Sequence, residues 1–158
     1  MNIDMFFYNV FTRNISGKSV NEMVQSQMPG RANGPADAYR HLLLSAELTR
    51  QFGEDYARSL LNGHELTGRD GDDWTPEAEA MDRYNNEIGV DIGKSARSWE
   101  EVIQKSREMM KADDPDGVGA HWLPEEKWQV NPKDEATGLR IPNRDSRLNW
   151  PPISMLST

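Results

Sequence analysis

The chain has no cysteine among its 158 residues, and it has no long apolar run. The first absence excludes disulfides, thiolate metal sites and cysteine nucleophiles, and it leaves the redox compartment open. The apolar patch Met5 to Phe11 is too short for a membrane span, and no basic segment precedes it as in a signal peptide. We therefore expect a chain made in the cytoplasm, without a membrane span, that something else must carry to any outside target.

Positive charge is scarce as well. Eighteen Lys and Arg face 26 Asp and Glu, for a net charge of −8, and no Lys/Arg cluster interrupts the acidic average. Such a surface repels polyanions, so we predict no nucleic-acid partner. Hydrophobic residues make up only 36 % of the chain, and its length suits one domain.

The residues that are present predict a mostly α-helical single domain of about four to five helices. Apolar residues recur at helical spacing, and capping residues mark two of the starts. The predicted helices are Asp37 to about Gln51, about Glu54 to Asn62, a helix from Thr75-Pro76 that Gly89 ends near Ile88, and one opened by the capping box Ser98 to Glu101.

The two ends of the chain differ from this helical body. Residues 1–33 mix aromatic residues with turn formers, whereas 34–112 carry the helical pattern and the candidate catalytic residues. Six of the nine prolines lie from Pro115 onward, close to three tryptophans. Dense proline favours extended structure. We predict that residues 113–158 form an irregular arm that packs on the body or on a partner.

Proton-handling side chains occur in three separate stretches. Asp37 and His41 are four residues apart, which places them on one helix face, and Asp82, Asn85 and Asn86 share a face in the same way. Between them, His64 and Glu65 open the glycine-rich segment "GHELTGRDGDDW", which we expect to be a loop. We predict that the three stretches converge on one cleft.

Simpler interpretations exist for several of these residues, and Glu65 alone could be an ordinary loop carboxylate. Asp37 suits the helix dipole at a first turn, and His41 could be an ordinary histidine bonded to it. Asn85 and Asn86 could tie loops, because amides satisfy backbone groups. "DGDDW" lacks the spacing of a calcium loop, so a solvated acidic loop is the better interpretation. The His-Glu pair lacks the second histidine of a zincin.

The stretches "DAYRHLLLSAELTRQFG", "HE" and "MDRYNNEIG" resemble a bacterial domain with the pattern D-A-[FY]-R-H, H-E and M-D-x-x-N-N-x-x-G. This domain occurs at the ends of polymorphic toxins and in secreted or phage-linked proteins, and its chemistry is not settled. The resemblance covers about Gly34 to Gly93. It implies a setting of bacterial antagonism or envelope attack, and its shared polar positions fall on Asp37, Arg40, His41, His64, Glu65, Asp82, Asn85 and Asn86.

The leading hypothesis from the sequence is a peptidoglycan glycan-strand hydrolase without a cofactor. Glu65 would be the acid, its pKa raised by desolvation, with Asp82 as the second carboxylate. His41 and His64 complete the predicted catalytic set. Asn85 and Asn86 would bind sugar groups, while Arg40 would meet a substrate carboxylate and Asp37 would support substrate binding.

Two alternatives remain open. A metal-dependent phosphoester or amide hydrolase would hold a divalent ion with Asp37, His41, His64 and Asp82, and Glu65 would act as the base. A non-enzymatic component of a virion or secretion particle would instead use the C-terminal arm for docking. The expected partners are an envelope substrate and a larger particle, or an immunity or carrier protein. The expected place of action is the bacterial envelope or periplasm, or a virion or secreted particle.

Overall fold

A computed structural model describes residues 3–110 and 119–128, with side chains from residue 13 onward. Five α-helices follow one another: α1 (Ile3–Ser26), α2 (Pro35–Phe52), α3 (Glu54–Gly68), α4 (Pro76–Ser95) and α5 (Trp99–Glu108). A short 3-10 turn, Glu125–Lys127, follows, and the described ranges hold no β-strand. The predicted mostly α-helical class is confirmed. None of the described helices has both the length and the apolar character that a bilayer crossing requires.

Local sequence explains where the helices begin. Pro35 and Pro76 occupy first-turn positions, where the missing N–H costs nothing. The hydroxyl of Thr75 accepts from the Ala78 backbone N–H at 3.1 Å, and that of Ser98 accepts from Glu101 at the same distance. Both predicted caps are therefore confirmed.

Three predicted boundaries are wrong. Residues 1–33, predicted as an aromatic and turn-rich segment without a helix, are mostly occupied by α1. α3 runs through Gly63 to Gly68, so His64 and Glu65 stand on a helix and not in a loop. α4 passes Gly89 and ends at Ser95. A glycine costs a helix only about 1 kcal/mol, which tertiary packing readily outweighs.

Helix α2 is the centre of the fold and packs against each of the other four helices. Its side chains Tyr39, Leu42, Leu43 and Ala46 are fully buried in the main core. A second apolar cluster joins α1, α2, α3 and α4 around Ile15, Leu48, Ala57, Leu61 and Val90. The polar residues of α2, α3 and α4 are thereby fixed relative to one another.

Part of the predicted C-terminal arm packs on the body. The Ala120 N–H donates to the Met109 carbonyl at 2.7 Å, and the Leu123 N–H donates to the Asn33 carbonyl at 2.9 Å. The Trp128 indole lies against Gly30 and Gly34, just before α2. Residues 111–118 and 129–158, which hold the rest of the predicted arm, lie outside the described residues.

Gly89 sets the close approach of α4 to α2. A Cβ atom there would stand 1.7 Å from Ser45 Oγ and 2.8 Å from the Leu42 carbonyl oxygen. We expect Gly89→Ala to lower the free energy of unfolding by about 1–3 kcal/mol, since overpacking exceeds the gain in helix propensity. Urea denaturation measures the change.

The matched control is Gly63→Ala in α3, where an added Cβ would meet nothing within 4 Å. This variant should be more stable than the wild type by about 0.5–1 kcal/mol. Equal stability of the two variants would contradict the close-packing interpretation.

Candidate functional site

Polar side chains from α2, α3 and α4 meet around His41, which is 2 % exposed. The imidazole Nδ1 lies 3.1 Å from Asn86 Oδ1, and Nε2 lies 3.1 Å from Asp82 Oδ1. The Nε2 atom is also 3.5 Å from Asp37 Oδ1. The amide of Asn86 in turn reaches α3, because its Nδ2 donates to Glu65 Oε1 at 3.3 Å. We call Asp37, Arg40, His41, Glu65, Asp82 and Asn86 the polar cluster.

The hydrogen bonds place a proton on His41 Nδ1 in both the neutral and the charged form of the ring. Glu65 offers a carboxylate oxygen to Asn86, so the nitrogen of the Asn86 amide faces Glu65 and its oxygen faces His41. An amide oxygen only accepts, and His41 Nδ1 must therefore donate. The Nε2 side of the ring is turned towards Asp37 and Asp82.

The side of the cluster around Nε2 has the composition of a cation site. One ligand-type atom each from Asp37, His41 and Asp82 lies within 4.8 Å of the others. Asp82 Oδ1 is buried and has no hydrogen bond of acceptable geometry, although it lies close to the imidazole. Arg40 Nη2 stands at the same place, 2.6 Å from Asp37 Oδ1 and 3.2 Å from His41 Nε2.

The cluster favours positive charge at this position. Burial and the charge of Arg40 disfavour a charged His41, but the carboxylates of Asp37 and Asp82 outweigh them and raise its pKa to about 10. Burial alone would raise the pKa of Asp37, yet Arg40 and the hydrogen bonds from His41 and Asn33 hold it well below 3.8. Two carboxylates therefore stabilise whatever cation lies between them.

Glu65 differs from these carboxylates. It is 6 % exposed, and burial, followed by the negative charge of Asp82, raises its pKa above the ordinary 4.5. The hydrogen bond from Asn86 and the charge of His41 only partly oppose this. A raised pKa makes this carboxylate a stronger base than an ordinary glutamate and keeps its acid form to a higher pH, which are the properties of a group that transfers protons.

The polar cluster opens on a cavity of about 280 Å³, which we call the acidic cleft. Asp37, Arg40, Glu65 and Asp82 line it, whereas His41 is not among its lining residues and lies behind them. The lining also includes Asp72, Asp73, Trp74 and Glu79. The "DGDDW" segment, interpreted above as a solvated loop, thus faces the cleft. Its position directly after the His-Glu pair was the signal for this role.

Two predicted site residues lie apart from the cluster. Asn85 is fully buried, and its amide holds the His121 backbone through bonds of 2.7 Å and 2.9 Å. It ties residues 119–128 to α4, which was the simpler interpretation of this pair. His64 is exposed at the rim of the cleft, and loss of hydration, with the charges of His41 and Arg40, lowers its pKa.

The comparisons with known proteins give a family and no activity. A family model described as a domain of unknown function, DUF6973, matches residues 4–114. Neither the curated proteins nor the solved structures give a match. The matched range holds the whole polar cluster and all but the first residue of the five helices. Since the match covers more than half of the chain, the protein belongs to the DUF6973 family.

Proposed function

We propose that the protein is a hydrolase that binds one divalent cation with Asp37, His41 and Asp82. The observation that carries the proposal is that one ligand-type atom each from Asp37, His41 and Asp82 lies within 4.8 Å of the others, and that the buried Asp82 Oδ1 has no hydrogen bond of acceptable geometry. One imidazole and two carboxylates suit Zn²⁺ or Mn²⁺. Three protein ligands beside an open cleft leave coordination positions for water and substrate, as catalytic sites require.

The surroundings of His41 support this proposal. Metal-bound histidines commonly donate their other ring N–H to a fixed acceptor, which sets the tautomer and the ring orientation. Asn86 Oδ1 is such an acceptor, and Glu65 fixes the direction of its amide. Nε2 is then the ligand atom on the side of Asp37 and Asp82, and a cation that binds there takes the place of the Nε2 proton of the charged ring.

Arg40 competes with a cation for the same carboxylate. Its guanidinium lies between Asp37 and His41, and it must move away before a metal ion can enter. Its side chain is 26 % exposed, so it has a path towards solvent. Once displaced, the arginine would meet an anionic group of the substrate or the developing negative charge.

The chemistry expected of the site is attack by water on an ester, phosphoester or amide. A bound divalent cation supplies a Lewis acid and lowers the pKa of a water. Glu65 takes a proton from the attacking water, whose oxygen bonds to the acyl or phosphoryl centre. The bond to the leaving group then breaks, and Glu65 returns the proton to that group.

Metal titration tests the proposal directly. Protein treated with EDTA and dialysed should bind one equivalent of Zn²⁺ or Mn²⁺ in isothermal titration calorimetry. Hydrolysis of para-nitrophenyl esters or of bis(para-nitrophenyl) phosphate should require that cation and be lost again in EDTA. Activity that survives the chelator, or no binding of either cation, would refute the metal-dependent mechanism.

A glycan-strand hydrolase is the second candidate, and the state of Glu65 is the observation that favours it. A buried carboxyl with a raised pKa beside Asp82 has the character of a glycosidase acid and its partner. The indole of Trp74, 39 % exposed at the cleft, offers a surface for a sugar ring. Muropeptides released from purified sacculi in EDTA, identified by mass spectrometry, would establish this function instead.

A further inference from the structure

A second cavity, of about 480 Å³, adjoins the acidic cleft. Four leucines line it, Leu44 and Leu48 from α2 and Leu60 and Leu61 from α3. We call this cavity the leucine groove. Arg40 and His64 line both the leucine groove and the acidic cleft, so the two cavities meet at these residues.

The leucine groove has ionisable side chains only where it meets the acidic cleft, and Ser16, Ser59 and Thr67 add neutral hydroxyl groups to its lining. Arg40, Leu44 and Leu48 follow one another at intervals of four along α2 and span about 12 Å, at 1.5 Å per residue. On α3, Leu60 and His64 are also four apart. Because Arg40 and His64 share the end that meets the cleft, the leucines form the far end. An unbranched acyl chain suits a groove whose leucines extend away from its charged end.

The charges at the junction indicate the head group. Arg40 provides a cation for a phosphate, while Asp72 and Asp73 line the adjoining cleft with carboxylates. Trp74 lies beside them and is 39 % exposed. Carboxylates and an aromatic ring together bind quaternary ammonium groups. A zwitterionic head group, with phosphate near Arg40 and ammonium near Asp72 and Trp74, complements these charges.

We infer that the leucine groove binds the acyl chain of a zwitterionic lipid whose head group occupies the acidic cleft. The inference rests on the proposed function in one respect: it makes this lipid the substrate of the hydrolase. The scissile ester or phosphoester would lie at the junction of the two cavities, next to Arg40. The same polarity does not suit a glycan strand, which has no apolar arm for the groove.

A chain-length series tests the inference with the full chain. Octyl-, decyl- and dodecylphosphocholine, each below its micelle concentration, are titrated calorimetrically, with phosphocholine as the probe that lacks a chain. Affinity should rise about fourfold per added methylene, as expected for burial of each CH₂. An affinity independent of chain length, or no binding of dodecylphosphocholine, would overturn the inference.

Variants locate the bound chain. Leu60→Trp fills the groove and should abolish the dependence on chain length, and Leu44→Gln, a smaller change at a half-buried position, should weaken it. Leu66→Trp is the matched control, because Leu66 is 46 % exposed on the same helix and is not among the lining residues. Unchanged chain-length dependence in folded Leu44→Gln and Leu60→Trp would place the chain elsewhere and refute the groove.

Repeating the series in EDTA separates this inference from the proposed function. If affinity depends on chain length in EDTA, and the dialysed protein binds neither Zn²⁺ nor Mn²⁺, the lipid groove is supported and the metal-dependent mechanism is refuted. If the dialysed protein binds the cation but affinity does not depend on chain length, the metal site is supported and the lipid groove is refuted. The substrate would then lack an acyl chain.

Discussion

Replacing Glu65 by glutamine is expected to lower turnover by about 10²–10⁴ while leaving the fold and cation binding intact. Glutamine keeps an oxygen that can accept from Asn86 Nδ2, and it loses only the exchangeable proton. Hydrolysis by the metal-loaded variant, measured beside its circular dichroism spectrum and cation affinity, checks this. Glu87→Gln is the control, since Glu87 is exposed on α4 and is not in the polar cluster.

The pH profile shows which role Glu65 performs. Burial raises its pKa, so it loses its proton at a higher pH than an ordinary glutamate. A general base works only after that loss, and the rate should rise with pH through the raised pKa. A glycosidase acid works only before it, and the rate should fall over the same range. A profile that Glu65→Gln leaves unchanged would assign the titration to another group.

Ionisation of Glu65 should lower the stability of the folded protein as the pH rises. Because the folded-state pKa of Glu65 is raised, its contribution to stability is greatest below the ordinary pKa of 4.5 and is lost as pH rises through the folded value. Glu65→Gln should therefore unfold at a higher temperature than the wild type at about pH 8, with little difference at about pH 4. A lower melting temperature at about pH 8 would mean that the carboxylate stabilises the fold.

The second large effect is expected at Asp82. Asp82→Asn removes a charged ligand from the site, and cation affinity should fall more than about a hundredfold, beyond the loss typical of groups that only support a ligand. Calorimetric titration with Zn²⁺ or Mn²⁺ measures it. Asp91→Asn, at an exposed position on the same helix, should bind as the wild type does.

Arg40→Gln should raise the cation affinity, whereas Asp82→Asn lowers it. The variant no longer offers a guanidinium to Asp37, so a cation enters without first breaking a charged hydrogen bond. Such bonds contribute about 1.5–3 kcal/mol, which corresponds to roughly tenfold to a hundredfold tighter cation binding. Weaker binding in Arg40→Gln would show that the arginine supports the site and does not compete for it.

The sequence specified much of the fold through local signals. The hydrophobic spacing of α2 and the caps at Thr75 and Ser98 predict helices that the structure contains. The N-terminal helix was missed because its apolar residues do not gather on one face of the helix. Gly63 and Gly89 were interpreted as helix ends, although neither interrupts its helix.

The candidate site was predictable where side chains share one helix. Asp37 and His41 lie four apart on α2, and that spacing places them on one helix face, where Asp37 Oδ1 and His41 Nε2 are 3.5 Å apart. Asn85 and Asn86 are neighbours, and the sequence offered no reason to predict different roles for them. In the structure Asn86 meets His41 while Asn85 holds the His121 backbone, because consecutive helical residues point about 100° apart.

The sequence by itself therefore determined the helical class, the lack of cysteine in these 158 residues and the titratable residues that the candidate site contains. Tertiary structure alone decided that Glu65 is buried, that Asp82 Oδ1 is left without a hydrogen bond, and that a leucine groove adjoins the acidic cleft. The physical reason is the distance along the chain over which each interaction acts. Capping and periodicity act within a few turns of one helix, whereas burial, a shifted pKa and a shared cavity depend on how three helices pack around α2.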